Sequence, residues 1–335
     1  MQTSRQTILA RIRQFFLALF AIYFALSLIG AVIYFFLEPN VSRIELFKLL
    51  FGLSLWLSIP LTIILIILRA WRLMIGSLIL VGLFILLYTP LLIPRNPSID
   101  ADMPQLKIMT FNTLGTSEGL TDAILSADAD VVAIQELSQD GSTMLRQLDN
   151  VYPFQALHPQ ADPNTGQGIL SRYPIEVDDY WEYPDVPYTL GHQRVEVDMN
   201  GERIVIYNTH PWPPLAWNTG YNDESHRVVI NDIADRVFGE ELPVILAGDF
   251  NMTSVFEEYD LLSTQLIDSF LVAGDGIGYT FPNNKFQPLP RILRLDYIWH
   301  TDHFQSVDST VWQDHGQSDH SPVVSTLILI KATDN

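Results

Sequence analysis

Asp319 and His320 stand side by side in Ser318-Asp319-His320-Ser321-Pro322-Val323, and seventy residues earlier a second polar knot reads Gly248-Asp249-Phe250-Asn251. Each flanks an apolar, strand-like run, so the side chains can converge at strand ends in one acidic cleft. Carboxylates, amides and imidazoles gathered there are the groups that move protons and hold hard cations, a combination suited to phosphoester hydrolysis. The same types recur where other apolar runs stop: Asn112, Glu136, His210 and Asp296. A strand fixes the backbone while the residue just past it is free to face a ligand, which is why sites collect at such ends.

The elements that must position these residues can be read coarsely. Strands are expected over 106–111, 131–134, 168–171, 193–199, 203–207, 244–247, 295–299 and 323–330, and helices over about 119–127 and 224–237. Asn200-Gly201 between two of the strands is a hairpin signal, so the array is not a pure succession of βαβ units. No repeat or low-complexity tract appears.

The polar part occupies only the later two thirds of the chain. Residues 95–335 hold 12 of the 19 Lys+Arg and 36 of the 38 Asp+Glu, a formal charge of −24, whereas residues 1–94 are at +5. A polyanion would meet long-range repulsion from the acidic part. There is no cysteine, which excludes disulfides, thiolate metal sites and cysteine nucleophiles.

Before residue 94 lie three apolar stretches, over 14–37, 49–68 and 73–93, each long enough to cross a bilayer as a helix. Arg5, Arg11, Arg13, Arg69 and Arg72 fall on one side of these spans and Arg43, Lys48 and Arg95 on the other. The bias places the amino terminus in the cytoplasm and, after three crossings, the acidic part outside it. Three prolines in 94–104 resist helix and predict a short stalk. The expected organisation is therefore a membrane anchor over 1–93, a stalk over 94–104 and a catalytic domain over 105–332.

Taken in order, Thr110-Phe111-Asn112, Ile134-Gln135-Glu136, 168–175 (Gly-Ile-Leu-Ser-Arg-Tyr-Pro-Ile), Asn208-Thr209-His210, Gly248-Asp249-Phe250-Asn251, Arg294-Leu295-Asp296-Tyr297 and Ser318-Asp319-His320 resemble the motifs of the endonuclease/exonuclease/phosphatase superfamily. That superfamily includes deoxyribonuclease I, abasic-site endonucleases, inositol-polyphosphate 5-phosphatases and neutral sphingomyelinases. The resemblance covers about 105–330 and implies an α/β fold, a four-layer α/β/β/α sandwich, preceded here by three transmembrane helices. It implies that Glu136, helped by Asn112 and Asp319, holds a divalent metal, Mg²⁺ with Mn²⁺ as the alternative. By the same resemblance Asp249 positions or deprotonates the attacking water and Asn251 holds the phosphate or its nucleophile. His320, oriented by Asp296, stabilises charge or acts as a base, and His210 contacts the phosphate or protonates the leaving oxygen. Short membrane spans ahead of such a domain also resemble bacterial membrane-bound members, including proteins of the teicoplanin-resistance type.

Departures from the pattern bear on substrate. The chain shows no arginine-rich groove, and the long basic motifs of the 5-phosphatase branch are absent. Residues 211–221 are instead rich in proline, tryptophan and tyrosine, which suits a membrane interface or an apolar ligand rim. The expectation is a membrane-anchored, metal-dependent phosphoester hydrolase whose partners are the lipid bilayer and a lipid-linked or small phosphate ester, with nucleic acid disfavoured. The rival readings are an extracytoplasmic nuclease and a catalytically inactive binding module on a membrane stalk.

Overall fold

In the computed structural model, which describes residues 2–36, 44–93, 103–187, 190–216, 220–283 and 290–330, the chain divides into two compact units, Met1–Ile93 and Pro94–Asn335. The first is built from α1 (Gln2–Phe36), α2 (Ile44–Ser54), α3 (Ser58–Ile67) and α4 (Trp71–Leu92). Three stretches of it are long and apolar enough to cross a membrane: Ala10–Phe36, Ile44–Ile67 and Trp71–Thr89. The second begins earlier than the sequence reading placed it and contains a 3-10 turn at Leu55–Leu57. Pro60 explains the turn, because its missing N–H cannot complete an α-type bond to the carbonyl of Trp56. Thr62 Oγ1 donates to Ser77 Oγ at 2.9 Å and so ties α3 to α4 by a polar contact between otherwise apolar faces. The expected stalk lies, apart from Met103 and Pro104, outside the described residues.

The second unit holds two six-stranded mixed sheets. In the first, β13 (Phe304–Val311), β14 (Val323–Leu329), β1 (Gln105–Asn112), β2 (Val131–Gln135), β4 (Gln167–Ser171) and β3 (Phe154–His158) lie in that order. In the second the order is β11 (Ile267–Asp268), β12 (Asp296–His300), β10 (Val244–Asp249), β7 (Glu202–Thr209), β6 (His192–Met199) and β5 (Ile175–Trp181). A two-stranded ribbon, β8 (Leu215–Ala216) with β9 (Gly220–Tyr221), stands apart. The helices are α5 (Leu120–Ala127), α6 (Gln139–Leu145), α7 (Glu224–Phe238), α8 (Glu257–Leu262) and α9 (Ser269–Ala273).

Alternation along the strands explains the layering. Ile108 and Val131 of one sheet and Ile206 and Ile245 of the other point into a shared buried core between the sheets. Their neighbours Met109 and Val132 face outward beneath α5 and α6. Val205 and Leu246 do the same beneath α7 and α8. The result is the expected four-layer α/β/β/α sandwich. At the tip of the β6–β7 hairpin Asn200 and Gly201 take φ values of 59° and 96°, the two positive values a tight hairpin turn requires.

The same parity carries polar residues into the gap between the sheets near one rim. Asn208 Oδ1 accepts from Gln135 Nε2 at 2.6 Å, and its own amide donates to the carbonyls of Ile134 and Gly168. Gln135 also donates to Thr110 Oγ1. A buried amide left unpaired costs about 1–3 kcal/mol, so this network pins the register of one sheet against the other just inside the rim.

Candidate active site

Continuing the alternation one or two residues further places Asn112, His210, Asp249 and Asp296 on the inward-facing side, at that same rim. Alternation would send Glu136 outward, since Val132 and Ile134 face the helices. Glu136 instead adopts φ 55°, a left-handed conformation uncommon for a side-chain-bearing residue, and this turn coincides with its contact to Asn112. Asn251 is also left-handed, at φ 51°. Strain of this kind collects where a site is held in place by its surroundings.

The cluster is closely connected. Asn112 Nδ2 donates to Glu136 Oε1 and to Asp249 Oδ2, both at 2.9 Å. Its amide oxygen accepts from the backbone N–H of Leu114, which settles the orientation of the amide. Asp249 Oδ1 accepts from the backbone N–H of Asn251 at 2.9 Å. Asn251 Nδ2 in turn donates to the carbonyl of Pro211. His320 Nδ1 lies 2.9 Å from Asp296 Oδ2, and its Nε2 is 3.6 Å from Asp249 Oδ2. His210 Nε2 lies 3.6 Å from Asp249 and 3.7 Å from Glu136, while its Nδ1 donates to the carbonyl of Asn164. A carbonyl can only accept, so Nδ1 carries the proton and Nε2 faces the carboxylates.

Burial shapes the charges. It would by itself depress the basicity of His320, but the carboxylates of Asp296 and Asp249 outweigh it and push the imidazole up to about 10. His320 therefore remains an imidazolium at neutral pH. Burial pushes the Glu136 carboxyl up, against the pull of His210, Asn112 and His320. His192, fully buried, is pushed down to about 3 by desolvation. It is neutral, and its Nδ1 shares a hydrogen bond with Thr209 Oγ1 at 2.8 Å, bracing the strand end that carries His210.

Glu136, His210, Asp249, Asn251 and His320 line a cleft of about 190 Å³. Asn112 lies beneath it, joining two of the carboxylates, and Asp296 stands behind His320. Asp319 does not line the cleft. Its backbone carbonyl accepts from Asn283, and its Oδ1 is buried without a hydrogen-bond partner among the described residues. The sequence reading missed Asn164 and Leu190, which line the cleft, and the cross-sheet role of Asn208, whereas Trp212 and Pro213, also in the lining, fall in the 211–221 stretch expected to suit a membrane interface or an apolar ligand rim. Arg294, with Asp268 at 2.6 Å and fully enclosed, fastens β12 from the other side and does not reach the cleft.

The donor set fits a hard divalent cation. Oε1 of Glu136 takes the Asn112 bond, whereas Oε2 takes none among the described residues, and Asp319 Oδ1 is likewise an acceptor without a donor. Oxygen atoms of this kind are what Mg²⁺ and its chemical relatives bind. Asp249, Asp296 and His320 also present one atom each within 4.8 Å of one another. There, however, the imidazolium already supplies the positive charge, so Glu136 is the better anchor.

The family profile described as "Endonuclease/Exonuclease/phosphatase family" matches residues 109–320. No curated protein sequence matches the chain. Among solved structures, an endonuclease/exonuclease/phosphatase from Beutenbergia cavernae is 22% identical over 68% of this chain and 72% of its own, with a TM-score of 0.54. Another from Bacteroides vulgatus is 19% identical, covers 68% and 99%, and has a TM-score of 0.55. A D. rerio TDP2, solved in complex with a single-strand DNA product, is 18% identical over 67% and 98%, also with a TM-score of 0.55. These likenesses are of fold.

Proposed function

The chain belongs to the endonuclease/exonuclease/phosphatase family and is a metal-dependent phosphoester hydrolase, and on that premise we propose that it acts on a lipid-linked or small phosphate ester at the outer face of a membrane. The observation that carries the reaction is the cleft lined by Glu136, His210, Asp249, Asn251 and His320. Three features favour the substrate class. Among the described residues no Lys or Arg lines the cleft, the outer part carries 12 basic against 36 acidic residues, and the chain from Ile93 to Gln105 can span at most roughly 40 Å. The connection therefore keeps the catalytic unit close to the lipid, while the acidic field disfavours a polyanion.

In this reading Asp249, held through both oxygens, orients water and takes its proton as the water oxygen attacks phosphorus. The bond from phosphorus to the ester oxygen breaks, and the departing alcohol takes its proton from solvent or His210. The imidazolium of His320 faces Asp249 and the phosphoryl group and offsets the charge that grows on the non-bridging oxygens. Asp296 keeps that proton in place, and Asn251 offers its amide to the phosphate. Glu136, aimed by Asn112, would hold a divalent cation with the help of Asp319. Such a cation polarises the phosphoryl oxygens when bound, and Mg²⁺ is the proposed occupant.

One observation favours the nuclease reading: a fold neighbour, the D. rerio TDP2, is seen with a single-strand DNA product. The two readings separate in one assay of the full-length protein in lipid nanodiscs with Mg²⁺. Lipid-linked phosphate esters and a small chromogenic phosphodiester are expected to be cleaved in preference to single- or double-stranded DNA. Efficient DNA cleavage at physiological salt with no turnover of the other esters would overturn the proposal in favour of the nuclease.

A further inference from the structure

The lining of the cleft is of two unlike kinds. Besides the charged and amide groups it includes Leu190, Trp212 and Pro213, and the exposed Asn164, whose carbonyl is bonded to His210. Leu190 is almost wholly enclosed, whereas Trp212 and Pro213 are half-buried. The segment carrying the last two is braced at both ends. Pro211 accepts from Asn251 of the catalytic turn, and Pro214 accepts from the backbone N–H of Asn222 at 2.7 Å. Prolines at 211, 213 and 214 hold φ between these ties, so this part of the lining is formed before anything binds.

We propose that Leu190, Trp212 and Pro213 form a subsite for an apolar or aromatic group esterified to the reacting phosphate. The inference rests on the reading of the charged groups as a phosphoesterase site and names what lies on the other side of the ester. A sugar placed there would turn most of its hydroxyls toward the carbon of these side chains, and an unpaired hydroxyl is costly. An anionic substituent would meet the carboxylate of Glu136, with no Lys or Arg among the described residues of the lining to offset its charge. An aromatic ring or alkyl chain gains from burial against Trp212 and Leu190. At about 190 Å³ the cleft is smaller than the roughly 300–1,000 Å³ that encloses a drug-sized ligand, so it takes the phosphoryl group and the first few atoms beyond it. The remainder of a longer chain projects from the cleft.

Phosphonates test this directly, because their carbon–phosphorus bond survives hydrolysis and each carries one organic group. Phenylphosphonate and methylphosphonate are compared as competitive inhibitors of chromogenic phosphodiester hydrolysis by the full-length protein with Mg²⁺. Phenylphosphonate is expected to inhibit at a concentration about ten-fold or more below that of methylphosphonate, the discrimination an apolar pocket gives to a few extra carbons. Trp212→Ala should bring the ratio of the two inhibition constants toward one, and Trp212→Phe should retain most of it. Equal inhibition constants in the unaltered protein, or a ratio that survives both Trp212→Ala and Leu190→Ala, would overturn the subsite while leaving the hydrolase standing. Failure of the unaltered protein to cleave any phosphodiester would instead overturn the hydrolase reading and the subsite with it.

Discussion

At the scale of single residues, the site is a set of carboxylates whose identical chemistry is divided by surroundings. Asp296 is spent on holding the His320 proton, Asp249 is fixed from both sides by Asn112 and the Asn251 amide, and Glu136 keeps one oxygen uncommitted. Asp249→Asn retains the shape but loses the base, and His320→Ala removes the buried cation. Each is expected to lower kcat by about 10²-fold or more, with thermal melting showing that the fold persists. Glu136→Gln should act differently, raising the Mg²⁺ concentration needed for half-maximal rate, while a chelator should abolish turnover in the unaltered protein. Near-normal activity of all three variants at saturating Mg²⁺ would show that the reacting atoms lie elsewhere.

At the scale of elements, the closeness of β10 to β7 determines where Asp249 and His210 meet. A Cβ at Gly248 would lie 2.0 Å from the carbonyl oxygen of Thr209, a distance no side chain tolerates. Gly248→Ala must push the strand ends apart, beside the hydroxyl of Thr209 that braces His192. The expected cost is about 3 kcal/mol or more, read as a Tm lower by several degrees together with a fall in kcat. An alanine variant as stable and as active as the parent would mean that the rim is more pliable than its hydrogen bonds indicate.

At the scale of the whole molecule, two properties follow from burial and from charge. His192 and His226 are enclosed and neutral, with basicities pushed down to about 3 and about 4 by desolvation. Unfolding restores an ordinary affinity for protons, so their contribution is neutral above about pH 6.5 and increasingly destabilising as pH falls toward 4. Within that window each histidine lowers stability by roughly 1.4 kcal/mol per pH unit. His226 hydrogen-bonds the carbonyl of Phe250 through Nε2, a bond that the amide of His226→Gln can imitate. The variant should show a shallower loss of Tm between pH 6.5 and 4, and an unchanged slope would remove His226 from the account. The second property is orientation. The five-to-three bias of short-loop cations predicts the amino terminus inside and the carboxyl terminus outside. A reporter active only outside the cytoplasm should work when fused after Asn335, and one active only inside should not. The reverse pattern would place the cleft in the cytosol and bring nucleotide and inositol phosphates back as substrates.

What was legible in the sequence was local. Apolar alternation announced β1, β2, β4, β6, β7, β10, β12 and β14, and polar residues at their ends announced Asn112, Glu136, His210 and Asp249. Edge strands such as β5, with Glu176, Asp178 and Asp179 among its residues, escaped notice because one face meets solvent and little apolar pattern survives. The sequence reading went as far as expecting the polar strand ends to converge in one acidic cleft. Only tertiary structure decided which of them touch. The bond between Gln135 and Asn208 spans seventy-three residues, and the Asn112 bond to Asp249 spans 137. The left-handed turn that brings Glu136 inward departs from the alternation from which sequence reasoning begins. Leu190 and Pro213 come from loops with no periodicity to read, so their place in the same cleft as the catalytic groups follows from how the sheets and their connections pack. Residue type and spacing thus determined the available chemistry, whereas the packed chain decided the partners, because burial and hydrogen bonding act between groups that are neighbours only after folding.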